Sequence, residues 1–148
     1  MDIFDNLSEK QKEAVQTIDE DLEIIACAGA GKTGVVTRRI VNILRLRLDI
    51  QPENIVAFTF TKKAAEELKS RINEYGKAVL GHTKGFAHMY VGTIHGFCIR
   101  MLQDYIPKFQ KFSVLDEIQT KLFVERYYDE CGMSDLELKK YIETSLFI

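Results

Sequence analysis

The stretch Ala26, Cys27, Ala28, Gly29, Ala30, Gly31, Lys32, Thr33 sets small residues in a row and closes them with an amine and a hydroxyl. Small side chains let successive backbone N–H groups turn toward one point, and such a concavity holds an anion. Lys32 would set its charge against the β- and γ-phosphates of a nucleotide, and the Thr33 hydroxyl would ligate Mg2+. The spacing fits the phosphate-loop pattern GxxxxGK followed by Ser or Thr, with Ala26 at the first glycine position. The plainer alternative is a glycine-rich turn whose lysine and threonine are incidental. Cys27 beside helix N–H groups has a redox reading as well, but its small size is sufficient reason for its place.

Such a loop needs a strand in front and a helix behind. Leu22 to Ala26 reads as a short buried strand, and Val36, Ile40, Ile43 and Leu44 fall on one face of a following helix. Ahead of them, Ser8 and Gln11 have the form of a capping box that opens a helix over about 8–18. Pro52 breaks the chain before a second apolar strand over 54–60. Thr61 then caps a helix with Ala65, Leu68, Ile72 and Tyr75 on one stripe, and Gly76 is expected to stop it. Residues 77–88 read as irregular, 89–93 as a third strand, and 94–106 as a helix ended by Pro107. Helices over 117–130 and 135–147 complete the chain. The stretch FSVLDE at 112–117 invites assignment as a strand ending in metal-binding acids. The apolar run is short and interrupted by Ser113, however, and Asp116 with Gln119 has the form of another capping box. Alternating strands and helices imply right-handed βαβ units, a parallel sheet with flanking helices, and ligands at the carboxyl ends of the strands. Residues 26–33, 59–62 and 92–95 all fall there.

The 148 residues are 46% hydrophobic and 28% charged, which is a globular composition able to bury a core. No apolar run reaches membrane-spanning length, and the N-terminus carries acids where a leader would carry bases, so a cytoplasmic protein without membrane partners is expected. Cys27, Cys98 and Cys131 are odd in number and widely spaced, which suggests neither a disulfide framework nor a zinc site. The net charge of −2 conceals a segregation: residues 1–30 carry −6, residues 31–111 carry +8, and residues 112–148 carry −4. A basic middle suits a phosphate-rich partner, although exposed helix faces alone would produce the same pattern.

Three further stretches, taken with the loop, resemble the UvrD/Rep family of superfamily-one DNA helicases. LSEKQKEAV is similar to that family's Q motif, and the resemblance implies that Gln11 recognises adenine, a use compatible with its capping role. IVAFTFTKKAAEELKSRI is similar to motif Ia, commonly written FTNKAA, and implies that Phe60, Thr61 and Lys62 meet single-stranded DNA. The chemistry is reasonable by itself, since Phe offers a stacking face, Thr a hydroxyl at a helix start and Lys a charge. Lys62 stands where the family usually has Asn. VGTIHGFCIRML is similar to GT(F/I)HSFC and implies DNA contacts from Thr93 and His95, with Gly96 in place of Ser. Gly34, beside the loop, stands where the family commonly has Arg.

The resemblance implies an α/β, P-loop (RecA-like) parallel sheet with flanking helices, incomplete and followed by a helical segment. Residues 1–111 would be the N-terminal portion of the first RecA-like ATP-binding domain, and residues 112–148 the start of a helical insertion. ATP and Mg2+ are the implied cofactors, with Gln11 and residues 26–34 around the nucleotide and Lys32 and Thr33 in catalytic roles. Single-stranded DNA and the remainder of a helicase chain are the implied partners. The acids, arginine fingers and second domain that such a motor uses have no match here, so weak nucleotide binding and no unwinding by this chain alone are expected. A small P-loop kinase and a truncated nucleotide- and nucleic-acid-binding module are the alternatives.

Overall fold

A computed structural model describes residues 2–130 and 132. Ser8 opens helix α1 (Glu9–Gln16): its hydroxyl accepts from the Gln11 N–H, and the Gln11 side chain accepts from the Ser8 N–H at 2.9 Å. The capping box expected from the sequence is formed. Residues 21–27 then run without strand pairing, which corrects the strand expected over Leu22 to Ala26. A strand needs a neighbour to complete its ladder, and among the described residues none stands beside this segment. Leu22, Ile24 and Ile25 are accordingly exposed rather than buried, Ile25 at 89%.

Helix α2 (Lys32–Leu46) follows the loop. The sequence suggested a single apolar face, yet α2 packs on two sides. Val35 joins Ala14 and Val15 of α1 in one cluster, while Ile40, Val36 and Leu44 belong to the main core. A helix wedged between two neighbours buries polar residues too, here Thr37, Arg38 and Asn42. A 3-10 turn at Pro52–Asn54 leads into strand β1 (Val56–Thr59), and Thr61 caps helix α3 (Lys62–Leu80).

Gly76 does not end α3. The helix runs on to Leu80, and Gly81 takes the left-handed cap conformation at φ 76°. Gly76 is instead a contact point, because a Cβ there would lie 2.3 Å from the Phe86 ring. Strand β2 (Tyr90–Thr93) pairs in parallel with β1, Val56 opposite Tyr90 and Thr59 opposite Thr93, and helix α4 (Ile94–Tyr105) follows it directly. Ala57, Ala65, Leu68, Ile72, Phe86, Met89 and Val91 fill the space between α3 and the sheet.

The chain divides into two compact units, Met1–Tyr105 and Ile106–Ile148. The second contains helix α5 (Glu117–Arg126), opened by the Asp116–Gln119 capping box in both of its hydrogen bonds. That geometry bears out the helix start and excludes an acid-ended strand at 112–117. The helix expected over 135–147 lies outside the described residues. The described fold is therefore α/β, with five helices and a two-stranded parallel sheet. Among the described residues no helix is long and apolar enough to cross a membrane.

Candidate functional site

The loop between the extended segment and α2 turns on two glycines, Gly29 at φ 79° and Gly31 at φ 77°. A side chain is strained in that region, so the small-residue run is required by the backbone at these two positions. The Ala30 N–H donates back to the Cys27 carbonyl at 3.3 Å and closes the turn. Lys32 folds its ammonium over the loop and donates to the Ala26 and Cys27 carbonyls, each at 2.7 Å. Gln11 reaches across from α1, where its Nε2 donates to the Ala30 carbonyl at 3.1 Å. Lys32 and Thr33 are exposed, Gly34 is half-buried, and Ala28 lies exposed at the turn.

Among the described residues, the start of α2 differs from the other α-helix starts. Ser8, Thr61 and Asp116 each accept an N–H bond at the head of α1, α3 and α5, and Thr93 accepts from the Gly96 N–H at the head of α4 at 3.1 Å. Gly31 heads α2 with no side-chain hydrogen bond. The first N–H groups of a helix lack intrahelical partners and carry partial positive charge, so this end can accept an anion.

Three hydrogen bonds hold α2, and with it the loop. Arg39 donates to the Ala14 carbonyl at 2.9 Å, the fully buried Asn42 donates to Val15 at 3.0 Å, and Arg38 donates to the Tyr75 hydroxyl at 2.7 Å. The Arg38 guanidinium also lies 5.0 Å from the Tyr75 ring centre, a cation–π distance. At the far end of α2, Arg47 pairs with Asp19 and Asp49. Its hydrogen bond holds the Asp49 carboxyl below the usual carboxylate range.

The parallel register sets Thr59 opposite Thr93, so the junctions that follow β1 and β2 emerge side by side. At the first, Thr61 accepts from the Ala64 N–H at 3.1 Å, Phe60 is 100% exposed and Lys62 is exposed. At the second, Thr93 caps α4 and His95 is exposed. Gln11 and the loop are joined by a hydrogen bond, and the pairs around Phe60 and Thr93 by strand register. Among the described residues, no cluster of three His, Cys, Asp or Glu groups could hold a metal ion.

One neighbour of the second junction escaped the sequence reading. Tyr90 donates its hydroxyl to the Thr93 carbonyl at 2.9 Å and packs edge-on against Phe97, their ring centres 5.0 Å apart. A Cβ on Gly92 would lie 2.6 Å from that hydroxyl and one on Gly96 2.8 Å from it. Two glycines placed two and six residues after a tyrosine were the available signal.

The profile of the UvrD/REP helicase N-terminal domain matches residues 7–146. The chain belongs to this family. Within it, the chain is 34% identical to the ATP-dependent DNA helicase PcrA of Staphylococcus epidermidis over 146 residues, 97% of this chain and 18% of the relative. It is 38% identical to PcrA of Bacillus subtilis over 117 residues, 77% of this chain and 15% of the relative. It is 32% identical to PcrA of Staphylococcus aureus over 149 residues, 99% of this chain and 19% of the relative. This UvrD/REP chain therefore spans less than a fifth of the length of these relatives. Gly96, which stands where the family pattern has Ser, has a local reason here, since the Tyr90 hydroxyl occupies the adjoining space.

Proposed function

We propose that the chain is the ATP-binding N-terminal portion of a P-loop, RecA-like DNA helicase that moves on single-stranded DNA. The observation that carries this is the start of α2: a helix without a side-chain cap, preceded by two left-handed glycines and a lysine whose ammonium lies over the loop. The Lys32 ammonium is exposed and held by neutral loop carbonyls, so its charge is at hand for a polyphosphate. Residues 26–34 are suited to phosphates because the positions around Gly29 and Gly34 are open, with no atom within 4 Å of a notional Cβ. Bound ATP would supply the phosphoanhydride whose cleavage drives the motor. Lys32 would exchange its two loop carbonyls for phosphate oxygens, and the Thr33 hydroxyl is the group on hand for Mg2+.

DNA contact falls to Phe60, Thr61, Lys62, Thr93 and His95. Phe60 is fully exposed and suited to stacking under a base. Thr61 and Thr93 each accept one N–H bond as a helix cap, and a phosphate oxygen, itself an acceptor, would take the hydroxyl hydrogen together with neighbouring N–H groups. Residues 1–111 belong on this reading to the first RecA-like domain and residues 112–148 to the start of a helical insertion, in a cytoplasmic protein. The remainder of a helicase chain would supply the acids and arginines that activate water and stabilise the transition state.

The test is ATPase activity of the full-length protein. Activity stimulated by single-stranded DNA and abolished by Lys32→Ala is the expected result. Activity indifferent to DNA would sink the motor reading, and activity that survives Lys32→Ala would sink the assignment of the loop.

A further inference from the structure

We propose that Tyr90 is a positioning residue for the second nucleic-acid junction, holding Thr93 and His95 at the head of α4 in fixed relation to the first junction. The inference rests on the single-stranded DNA reading of the two junctions and adds to it a residue just outside the stretch from Val91 to Leu102.

Side chains alternate across a strand, and Ala57 and Val91 face the core, so Phe58, Tyr90 and Gly92 share the opposite face of the sheet. Gly92 stands opposite Phe58 and leaves the surface beside it bare. The Tyr90 side chain lies in that gap: a Cβ on Gly92 would meet its Oη at 2.6 Å, its Cζ at 2.8 Å and its Cε1 at 3.1 Å. The ring is thereby laid along β2 toward the carboxyl end of the strand. Its hydroxyl reaches the head of α4 and donates to the Thr93 carbonyl at 2.9 Å. A Cβ on Gly96 would also close on that hydroxyl, at 2.8 Å, so two bare positions make room for one tyrosine.

The bond acts on the peptide where strand turns into helix. The Thr93 carbonyl and the Ile94 N–H belong to one planar, trans peptide, so holding the oxygen toward Tyr90 aims the Ile94 N–H the opposite way. Thr93 is also held through its own hydroxyl, which accepts from the Gly96 N–H at 3.1 Å. Tyr90 is fixed in its turn. Phe97 of α4 packs edge-on against Tyr90 at 5.0 Å and against Phe58 at 5.4 Å, with Phe58 and Tyr90 6.2 Å apart. The Arg100 guanidinium lies 6.0 Å from the centre of the Tyr90 ring. Phe58 stands two residues before Phe60, so the three rings tie β1, β2 and α4 together directly behind both junctions. A strand of nucleic acid that meets both loops binds more tightly when their relation is set in advance, because less conformational freedom is lost on binding.

The test takes two readouts from the 148-residue chain. Tyr90→Phe keeps the ring and its packing and removes only the hydroxyl bond. Backbone order parameters of the Ile94 and His95 N–H groups, measured by NMR without ligand, should fall from about 0.85 toward 0.6. Affinity for a fluorescein-labelled oligothymidylate, read by anisotropy, should weaken about 3- to 10-fold, the range that loss of one hydrogen bond sets for the population of the positioned junction. Two controls separate the roles. Gly76→Ala lowers stability away from the junctions and should leave both readouts at their wild-type values. Phe60→Ala should weaken binding and leave the order parameters of Ile94 and His95 unchanged. Either readout unchanged in Tyr90→Phe overturns the proposal, and so does a loss of affinity as large in Gly76→Ala, which would reduce Tyr90 to a structural role. A wild-type chain that does not bind the oligonucleotide, or binding indifferent to Phe60→Ala, overturns the DNA reading and this proposal with it. Binding that weakens in Phe60→Ala and holds in Tyr90→Phe overturns this proposal alone.

Discussion

Alanine in place of glycine within a helix is usually a gain of about 1 kcal/mol, and at Gly76 the sign should reverse. A Cβ added there would sit 2.3 Å from Phe86 Cε2 and 2.7 Å from Cζ, so the ring has to move. Phe86 is 8% exposed and belongs to the cluster of Leu68, Ile72, Met89 and Val91, so a ring that shifts toward either of the two cavities it lines gives up packing in that cluster. Overpacking of a filled core costs about 1–3 kcal/mol, and two ring atoms inside contact distance put this site at the upper end. Set against the helix gain, the net loss is about 2 kcal/mol. For a urea slope of about 1.5 kcal/mol per molar, the unfolding midpoint of Gly76→Ala falls by roughly 1 M. Gly34→Ala is the control, because it makes the same change in a helix where no atom lies within 4 Å of the new carbon. Its midpoint should hold or rise. A Gly76→Ala midpoint at or above wild type would refute the packing argument.

Three other outcomes follow from the geometry. Gly96→Ser should destabilise the chain by about 1–3 kcal/mol, since its Cβ would meet the Tyr90 hydroxyl at 2.8 Å, and adding Tyr90→Phe should recover most of that loss. Denaturation of the single and double variants measures the coupling, and independent losses would contradict it. Thr61→Ala removes the cap of α3 and should lose about 1 kcal/mol in the same experiment, with loss confined to DNA binding counting against the capping role. Asp49 has its carboxyl lowered by the Arg47 hydrogen bond, so the pair stabilises above the ordinary carboxylate range and fades as pH drops through the lowered value. Melting of Asp49→Asn should therefore differ from wild type most near neutrality, by a small amount since both groups are exposed, and a gap that widens in acid would show the sign to be wrong.

Local chemistry was legible in the sequence. Ser8 with Gln11 and Asp116 with Gln119 close their capping boxes within three residues, and Thr61 caps α3 just as locally. Features that depend on distant chain were harder to read. Gly76 has the same identity as a helix-ending glycine, and only the Phe86 ring, ten residues away, reveals it as a packing site, while Gly81 makes the stop. Leu22 to Ala26 has the composition of a strand but lacks a ladder partner among the described residues. The second face of α2 was hidden because polar side chains, Arg39 and the buried Asn42, join it to α1 through hydrogen bonds to carbonyls rather than through apolar periodicity. At the candidate site, the loop pattern was evident in residues 26–33, whereas the Gln11 bond to Ala30 spans too much chain for any spacing rule to anticipate.

The complete exposure of Phe60 has a practical consequence for spectroscopy. The sequence contains no tryptophan, so Phe60→Trp would introduce the sole indole into an otherwise dark emission window. At a position with no packing to disturb, its fluorescence would change if a nucleobase stacks on the ring, as proposed for Phe60, and would stay constant if none does.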